Sequence, residues 1–206
     1  KIDKNFKINN YHNYTDYYSE IFSLSRNSIK KVFELGIGNI NKENIYNMNM
    51  LGDQYSPGAS LRVWRDYFKN ATIDCFEIDK KKILFAKKHK LRGVKYHLID
   101  VSNKVLINSQ FQKTKRKFDL IIDDSTHLFN HQINIIFNTY KYLKKGGILI
   151  VEDIYRYRRG YEEQKYYNCL QKIQKNFSDI VFVETSHINN YTASWNCEKI
   201  LLLIKK

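Results

Sequence analysis

Two pairs of acidic residues and one histidine are the side chains in this sequence best suited to chemistry. Asp123 and Asp124 end one apolar segment, and Glu152 and Asp153 end another. His127 follows Asp124 by three residues, on the loop that leaves the first segment. Carboxylate oxygens are hard ligands that suit Mg²⁺, whereas no cysteine or histidine cluster in the sequence has the spacing of a zinc site. We therefore expect Asp124, Glu152 and Asp153 to bind Mg²⁺ or a similar divalent cation.

The chemistry of such a site is the activation of a hydroxyl group. An alcohol is a poor nucleophile because its pKa lies far above neutrality, but a dication favours its deprotonated form and a nearby imidazole can take the proton. His127 is the candidate base and, with Asp124, a predicted catalytic residue. His131 is interpreted as an early helix residue or a supporting partner. Two alternatives stay open: the aspartate pair can cap a helix, and Glu152 and Asp153 can be the polar end of a strand.

The elements that must position these residues alternate between strands and helices. Apolar strand segments are predicted at residues 31–38, where the segment ends in a glycine turn, and at 72–78, 94–99, 118–124, 148–153, 180–184 and 200–204. Helical segments separate the first five strands and no hairpin signal occurs between them, which favours parallel pairing. The pattern predicts a single doubly wound α/β domain over residues 1–206, with a helical lead-in at 1–29. Ligands of such sheets bind beyond the carboxyl ends of the strands.

Glycines and acidic residues follow the first three strands, where a nucleotide would bind. Gly36 and Gly38 allow close backbone approach to a ligand. Glu77 can accept hydrogen bonds from a ribose diol, and Asp100 can accept one from an adenine amino group. The alternative for the glycines is a tight turn, since neither the GxGxxG spacing nor a P-loop is present. The candidate cofactor-binding residues are Glu34, Gly36, Gly38, Ser60, Glu77, Asp100 and Asp123.

Other positions are candidates for substrate contact or for purely structural roles. Residues 39–59 form a long polar stretch that is predicted to be a lid or substrate loop. The candidate substrate residues are Tyr14, Arg156, Arg158 and Arg159. The arginines could bind the diphosphate of a nucleotide sugar, and a solvated loop is the alternative. Ser60 is expected to cap the next helix, Trp64 to lie in the core, and Asp74 and Asp79 to lie at the surface.

Four blocks occur in order along the chain: FELGIG at 33–38, GASLRVWRDYF at 58–68, FDLIIDDSTH at 118–127 and GGILIVED at 146–153. Together they resemble the class I S-adenosylmethionine (SAM)-dependent methyltransferases, and in particular the macrocin and mycinamicin sugar O-methyltransferases. The resemblance runs from about Tyr11 to the C-terminus. Ser125 departs from it, because the family often has glycine there. The family also has a longer N-terminal region, so the substrate and the oligomeric state do not transfer.

The resemblance implies a specific fold and site. A Rossmann-like seven-stranded sheet in the order 3-2-1-4-5-7-6 is expected, with an antiparallel last strand and helices on both faces. SAM would lie over strands one and two, with a divalent cation beside its methyl group. The family's metal ligands map to Asp124, Glu152 and Asp153, and its base maps to His127. The implied function is methyl transfer from SAM to a sugar hydroxyl, on a nucleotide sugar or on a polysaccharide or glycoconjugate precursor.

Composition and charge limit the alternatives. The net charge is +14 over 206 residues, and a field of this sign attracts nucleic acids, anionic surfaces and phosphorylated molecules, although solvated surface lysines are the favoured explanation. Three cysteines cannot form a paired framework and no apolar run approaches the roughly 20 residues of a membrane span, so we expect a cytoplasmic protein. An RNA methyltransferase, indicated by the charge and the 16 tyrosines, and a non-catalytic partner protein with a SAM fold stay open, as does homo-oligomerisation.

Overall fold

The computed structural model describes residues 14–38, 58–88, 93–184 and 197–206. Most of the predicted lid and the first 13 residues, with Tyr11, therefore lie outside the described residues. The elements are α1 Tyr14–Phe22, β1 Lys31–Leu35, α2 Ala59–Tyr67, β2 Thr72–Glu77, α3 Lys80–Lys88, β3 Val94–Leu98, α4 Lys104–Thr114, β4 Phe118–Asp123, α5 Phe129–Thr139, β5 Leu143–Tyr155, α6 Glu163–Leu170, β6 Phe177–Glu184 and β7 Cys197–Lys205. Single 3₁₀ turns precede β5 and β6.

One sheet contains all seven strands of the described residues, in the order β3-β2-β1-β4-β5-β7-β6. The first five strands pair in parallel, and β7 runs antiparallel to both of its neighbours. The predicted fold class and strand order are therefore confirmed. The strand order reverses between β1 and β4, which places the ligand crevice of the doubly wound sheet at the carboxyl ends of these two strands.

The central strands are apolar on both faces because helices cover both faces. Alternate residues of a strand point to opposite sides, so neighbours along β1 and β4 enter different cores. Phe33 packs on Phe111 and Phe118, with ring centroids 4.2 Å and 5.3 Å away, on the face covered by α4, α5 and α6. The other face packs against α1 and α2 and includes Val32 and Trp64, which confirms the core position of Trp64. Burial of each such side chain contributes roughly 1.5–3 kcal/mol.

The helix before β5 ends earlier than the sequence predicts. The apolar spacing predicts a helix from about His131 to Leu143, and the run Lys144–Gly147 is typical of a helix end that is rich in cations and terminated by glycine. In the structure α5 ends at Thr139 and β5 already begins at Leu143, which pairs with Phe118 of β4. Lys144 binds Asp119 with Nζ 2.6 Å from Oδ1, and the β4–β5 register shifts between Phe118 and Leu120. Pairing with β4 and this ion pair therefore place the glycine-rich run in the strand.

Two further expectations about single residues were wrong. Ser60 does not cap α2, since Gly58 occupies the N-cap position with φ 79° and no side chain bonds to the helix end. Asp74 is buried rather than at the surface: His97 Nε2 lies 2.7 Å from its Oδ1, and Arg116 Nη1 donates to its Oδ2 at 3.3 Å. Burial of a carboxylate is costly unless it is paired, and these two partners on β3 and after α4 offset that cost.

Gly36 joins the end of β1 to both neighbouring strands. Its φ of 97° lies in the region that favours glycine, and a Cβ at this position would lie 2.1 Å from the carbonyl oxygen of Asp124. The Gly36 N–H donates to Phe76 O at 2.8 Å, and the Asp124 N–H donates to Leu35 O at 3.0 Å. The sequence predicted that glycine here admits a ligand, whereas the structure shows that it also admits the backbone of the neighbouring strand end.

We expect Gly36→Ala to lower the free energy of unfolding by at least about 2 kcal/mol, because it combines a strained φ with a backbone clash. Gly146→Ala is the matched control, since Gly146 also has a positive φ of 72° but a Cβ there meets nothing within 4 Å. Equilibrium urea unfolding of both variants measures the difference. If both variants lost the same free energy of unfolding, the clash with the Asp124 carbonyl oxygen would not be the cause of the loss in Gly36→Ala.

Candidate active site

The strand ends bring three of the predicted residues into one cluster. Asp124 follows β4, His127 lies on the loop after it, and Asp153 lies near the end of β5. One potential ligand atom from each of these side chains lies within 4.8 Å of those of the other two. Among the described residues this is the one group of histidine, cysteine or acidic side chains that could hold a metal ion. The His127 Nε2 atom is 3.6 Å from Asp153 Oδ2.

Backbone conformation at this cluster is unusual. His127 has a φ of 57° and Asp153 a φ of 53°, so two of the three non-glycine residues with positive φ in the described part of the chain are in the cluster. Such conformations cost roughly 1–3 kcal/mol each and persist only where the surrounding structure enforces them. The ring of His127 is partly exposed, with 29% of its side-chain surface accessible, while its Nδ1 atom is buried and has no hydrogen-bond partner among the described residues.

Two tyrosines of α1 bind the acidic pair of β5. The Tyr14 hydroxyl donates to Asp153 Oδ1 at 2.8 Å and accepts from the Asp153 N–H at 3.3 Å. The Tyr18 hydroxyl donates to Glu152 Oε1. Burial, followed by the nearby carboxylates, raises the pKa of both tyrosines, so both are neutral hydrogen-bond donors. The sequence analysis predicted Tyr14 as a substrate residue and did not predict these hydrogen bonds. The one available signal was the four-residue spacing of Tyr14 and Tyr18, which places both on one face of the helix.

Glu152 lies outside the three-residue cluster, although the sequence predicted it as a metal ligand. Its side chain is buried, with 8% of the residue surface exposed, and it accepts the Tyr18 hydrogen bond. Its backbone carbonyl accepts from Gln132 Nε2 at 3.3 Å, and Tyr166 donates to Gln132 Oε1 at 2.5 Å. Gln132 is a buried polar residue that the sequence analysis missed, because one glutamine in an amphipathic helix gives no signal. It fixes the tip of β5 against α5 and α6.

Asp123 stabilises the turn after β4 and is not one of the three cluster residues. Its Oδ1 accepts from the Ser125 hydroxyl at 2.6 Å and from the Ser125 N–H at 3.2 Å. Burial raises the pKa of Asp123, while the Ser125 hydrogen bonds act in the opposite direction. Further along the loop, Thr126 Oγ1 lies 2.9 Å from His131 Nδ1, so His131 is an early residue of α5 that contacts the loop carrying His127. These contacts position the loop.

The cofactor candidates lie along the ends of β1, β2 and β3. Glu77 is buried and joins β2 to the glycine turn, since it accepts from Ile37 N–H at 3.3 Å and from Asp79 N–H at 3.0 Å, with Lys82 Nζ 3.7 Å away. Asp100 follows β3, and hydrogen bonds from Ser102 lower its pKa. Each carboxylate oxygen has a second lone pair with which it can accept a ligand donor.

The other cofactor candidates differ in burial. Glu34 is buried in β1, where the Trp64 indole N–H donates to its Oε1 at 3.3 Å. Gly38 has a φ of 82°, and Ser60 is half-buried in the first turn of α2. Gly38 and Ser60 therefore flank the stretch 39–57, which lies outside the described residues.

The three arginines after β5 have different surroundings. Arg156 pairs with Glu184, with 2.9 Å between Nη2 and Oε2, and its guanidinium lies over the Tyr157 ring. Arg158 lies over the rings of Tyr155 and Tyr161, with its Cζ 4.8 Å and 5.5 Å from their centroids. Arg159 is exposed. Arg156 and Arg158 are thus held by the protein itself, which weakens the predicted diphosphate role for these two.

Comparisons with known proteins are consistent with this geometry. No family model matches the chain. It is 27% identical over 153 residues to 8-demethyl-8-(2-methoxy-alpha-L-rhamnosyl)-tetracenomycin-C 3'-O-methyltransferase of Streptomyces olivaceus, with 73% of this chain and 35% of that protein covered. It is 25% identical over 146 residues to demethylmacrocin O-methyltransferase of Streptomyces fradiae, with 70% and 32% covered. The chain is similar to sugar O-methyltransferases. It spans about a third of the length of these relatives.

A solved structure supports the fold assignment. The MycE methyltransferase from the mycinamycin biosynthetic pathway, in complex with Mg, SAH and mycinamycin VI, has a TM-score of 0.68 and 18% identity to this chain. The match covers 93% of this chain and 49% of that one. At this identity the likeness establishes the fold alone, which is the Rossmann-like methyltransferase fold that the sequence predicted. No helix among the described residues is both long and apolar enough to cross a membrane.

We expect Asp124→Asn to weaken the binding of Mg²⁺, or of Mn²⁺ used as a probe, by more than about tenfold, because it removes one of two carboxylates from the cluster. Asp119→Asn is the matched control, since Asp119 lies on the same strand and binds Lys144 instead. Isothermal titration of both variants in the presence of SAH measures the effect. Equal cation affinity in the two variants would exclude Asp124 as a ligand.

Proposed function

We propose that this chain is a SAM-dependent O-methyltransferase domain that transfers a methyl group to a sugar hydroxyl with the help of a divalent cation. The cluster of Asp124, His127 and Asp153 beside the glycine turn of β1 carries this proposal, because it combines a hard-cation site and a base at the ligand crevice of a methyltransferase fold. The sequence similarity to sugar O-methyltransferases supports the reaction class.

The residues present fit a divalent cation. The carboxylates of Asp124 and Asp153, which offer ligand atoms within 4.8 Å of each other and of one from His127, repel each other less when a cation lies between them. Carboxylate oxygens suit Mg²⁺, and we propose Asp124 and Asp153 as its ligands, with Glu152 as a further ligand from the adjacent position of β5. We assign His127 to proton transfer rather than to ligation because imidazole is the softer donor.

The residues also fit SAM. The donor carries a positively charged sulfonium, and acidic side chains are concentrated at this edge of a chain whose net charge is +14. Glu77 and Asp100 offer carboxylate oxygens to the ribose and the adenine, and the turn at Gly36 and Gly38 lies between them and the cluster. Glu34 and Asp123, which accept hydrogen bonds from Trp64 and Ser125, and the half-buried Ser60 stay proposed members of this half of the site.

The proposed mechanism assigns separate tasks to the side chains. A bound dication supplies Lewis acidity that favours the deprotonated form of a neighbouring hydroxyl. His127 Nε2 accepts the hydroxyl proton, and Asp153 Oδ2, 3.6 Å away, stabilises the imidazolium that results. The partly exposed ring can then release the proton to water. Glu77 and Asp100 fix the donor so that its methyl group faces the acceptor oxygen, and methyl transfer leaves a methyl ether and SAH.

The acceptor is proposed to be a sugar that is already part of a larger molecule. The name of the tetracenomycin relative specifies a rhamnosyl group attached to tetracenomycin C, and the similar MycE structure contains mycinamycin VI. A polysaccharide or glycoconjugate precursor offers the same chemistry. A nucleotide sugar is less well supported, because Arg156 and Arg158 are engaged by Glu184 and by two tyrosine rings.

An RNA methyltransferase is the second candidate, and the net charge of +14 is the observation that favours it. Methyl transfer to structured RNA, with an affinity that falls steeply with salt, would support it over the sugar substrate. A panel of glycosides, nucleotide sugars and RNA with radiolabelled SAM separates the two candidates. Turnover on any of them excludes a non-catalytic partner protein.

We expect His127→Asn to lower kcat by roughly 10²–10⁴-fold while cation affinity changes little, because the variant loses the base and not a ligand. His131→Gln, four residues further on, should retain most of the activity. Initial rates with the best acceptor of the panel, with EDTA and with Mg²⁺ restored, measure these effects. Loss of cation binding in His127→Asn would instead identify the imidazole as a ligand.

We expect Glu77→Gln to raise the Kd for SAH by about tenfold, because a carboxylate is a stronger acceptor for ribose hydroxyls than a neutral amide and also pairs with Lys82. Asp79→Asn on the adjoining helix start serves as the control. Titration calorimetry with SAH measures both. An unchanged Kd in Glu77→Gln would place the ribose elsewhere.

A further inference from the structure

The bonds between α1 and the tip of β5 do more than attach a helix to the sheet. Tyr14 uses one hydroxyl to make two contacts with the same residue: it donates to Asp153 Oδ1 and accepts from the Asp153 N–H. The second contact involves the backbone of a residue whose φ is 53°. Tyr14 therefore constrains both the main chain and the side chain of Asp153.

These contacts decide which carboxylate oxygen is directed to the cluster. Oδ1 is occupied by Tyr14 at 2.8 Å, whereas Oδ2 lies 3.6 Å from His127 Nε2. One turn further along α1, the Tyr18 hydroxyl donates to Glu152 Oε1. The two hydroxyls thus hold two consecutive carboxylates that would otherwise repel each other and rotate.

We propose that Tyr14 is a positioning residue that sets the Asp153 carboxylate for cation binding, so that α1 is part of the catalytic machinery. This inference rests on the proposed function. Tyr14 is 1% exposed, so water competes little for its hydrogen bonds with Asp153. Partners that orient a metal ligand typically contribute 10–100-fold to metal affinity.

A purely structural role for Tyr14 makes a different prediction. The apolar part of α1 is anchored by other contacts, such as Phe22 on Phe68 and Tyr18 on Trp64, with ring centroids 5.3 Å and 5.2 Å apart. Tyr14→Phe keeps the ring and should leave this packing in place. If Tyr14 only held the helix, its removal would lower stability without affecting the affinity for a cation.

The test is the Mn²⁺ affinity, with SAH present, of the wild type and of Tyr14→Phe, measured by electron paramagnetic resonance of free Mn²⁺. We expect the Kd of Tyr14→Phe to rise by about tenfold or more. Tyr17→Phe is the matched control: Tyr17 lies on the same helix but donates to the Glu184 carbonyl at 3.1 Å, and its loss should leave the Kd unchanged. Thermal melting verifies that each variant folds.

A double-mutant cycle shows whether Tyr14 acts through Asp153. The effect of Tyr14→Phe on the Mn²⁺ Kd should disappear in an Asp153→Asn background, because the residue to be positioned no longer provides a carboxylate. A full tenfold effect in that background would overturn the proposal.

A measurement without substitutions provides an independent check. If α1 sets the site, then cation binding must in turn stabilise α1, because coupling is reciprocal. Saturating Mg²⁺ should therefore slow hydrogen exchange of the α1 amides in the wild-type protein. Two results would overturn the role of Tyr14 and leave the proposed function intact. One is unchanged hydrogen exchange in α1, and the other is a wild-type Mn²⁺ Kd in Tyr14→Phe while Asp124→Asn binds the cation more weakly. Absence of cation binding in the wild type would overturn both.

Discussion

The close approach of carboxylates at the ends of β4 and β5 is the constraint on which the rest of the structure depends. Asp124 and Asp153 share a cluster with His127, and Glu152 and Asp123 lie next to them in the chain. Like charges in a partly dry crevice repel one another, so each needs a compensating donor. Tyr14, Tyr18 and Ser125 supply such donors to three of these carboxylates. The repulsion between the carboxylates therefore explains why hydroxyl donors lie next to them.

The sheet makes this approach possible through its order. β1 and β4 are parallel neighbours at the point where the strand order reverses. The turn at Gly36 and the residue Asp124 therefore meet at the carboxyl ends of these two strands. The same junction places the SAM half of the proposed site next to the cation half. A side chain at position 36 would separate the two strand ends. The packing of the strands and the proposed chemistry therefore both require glycine at that position.

Most of the fold was predictable, because it follows from local pattern. The apolar runs, the alternation with helices and the acidic strand ends indicate a doubly wound sheet, and the resemblance supplied its strand order. The errors at Lys144 and Asp74 have a common cause, which is tertiary contact between segments distant in sequence. The run at Lys144 resembled a helix end until its pairing with Asp119 and β4 was known. Asp74 resembled a surface residue because its partners, His97 and Arg116, lie 23 and 42 residues away.

At the candidate site too, local sequence pattern could be read in advance, whereas contacts between distant segments could not. Asp124, His127 and Asp153 could be found from residue type and position at strand ends, and the structure brings them together. The bonds from Tyr14 and Tyr18 could not be found, because they span 139 and 134 residues and the tyrosines resemble ordinary core residues of an amphipathic helix. The roles of the cluster and of the cofactor residues stay predictions.

The position of β7 has a consequence for how the protein is made. β5, which carries Glu152 and Asp153, lies between β4 and β7, and β7 comprises Cys197–Lys205. While the ribosome is still translating, β5 therefore has an open edge, and Glu184 and Arg156 have no Lys199 beside them. The tip of β5 can gain its final neighbours only after the last strand has left the exit tunnel. The pairing of β5 with neighbours on both of its edges is thereby tied to the synthesis of β7.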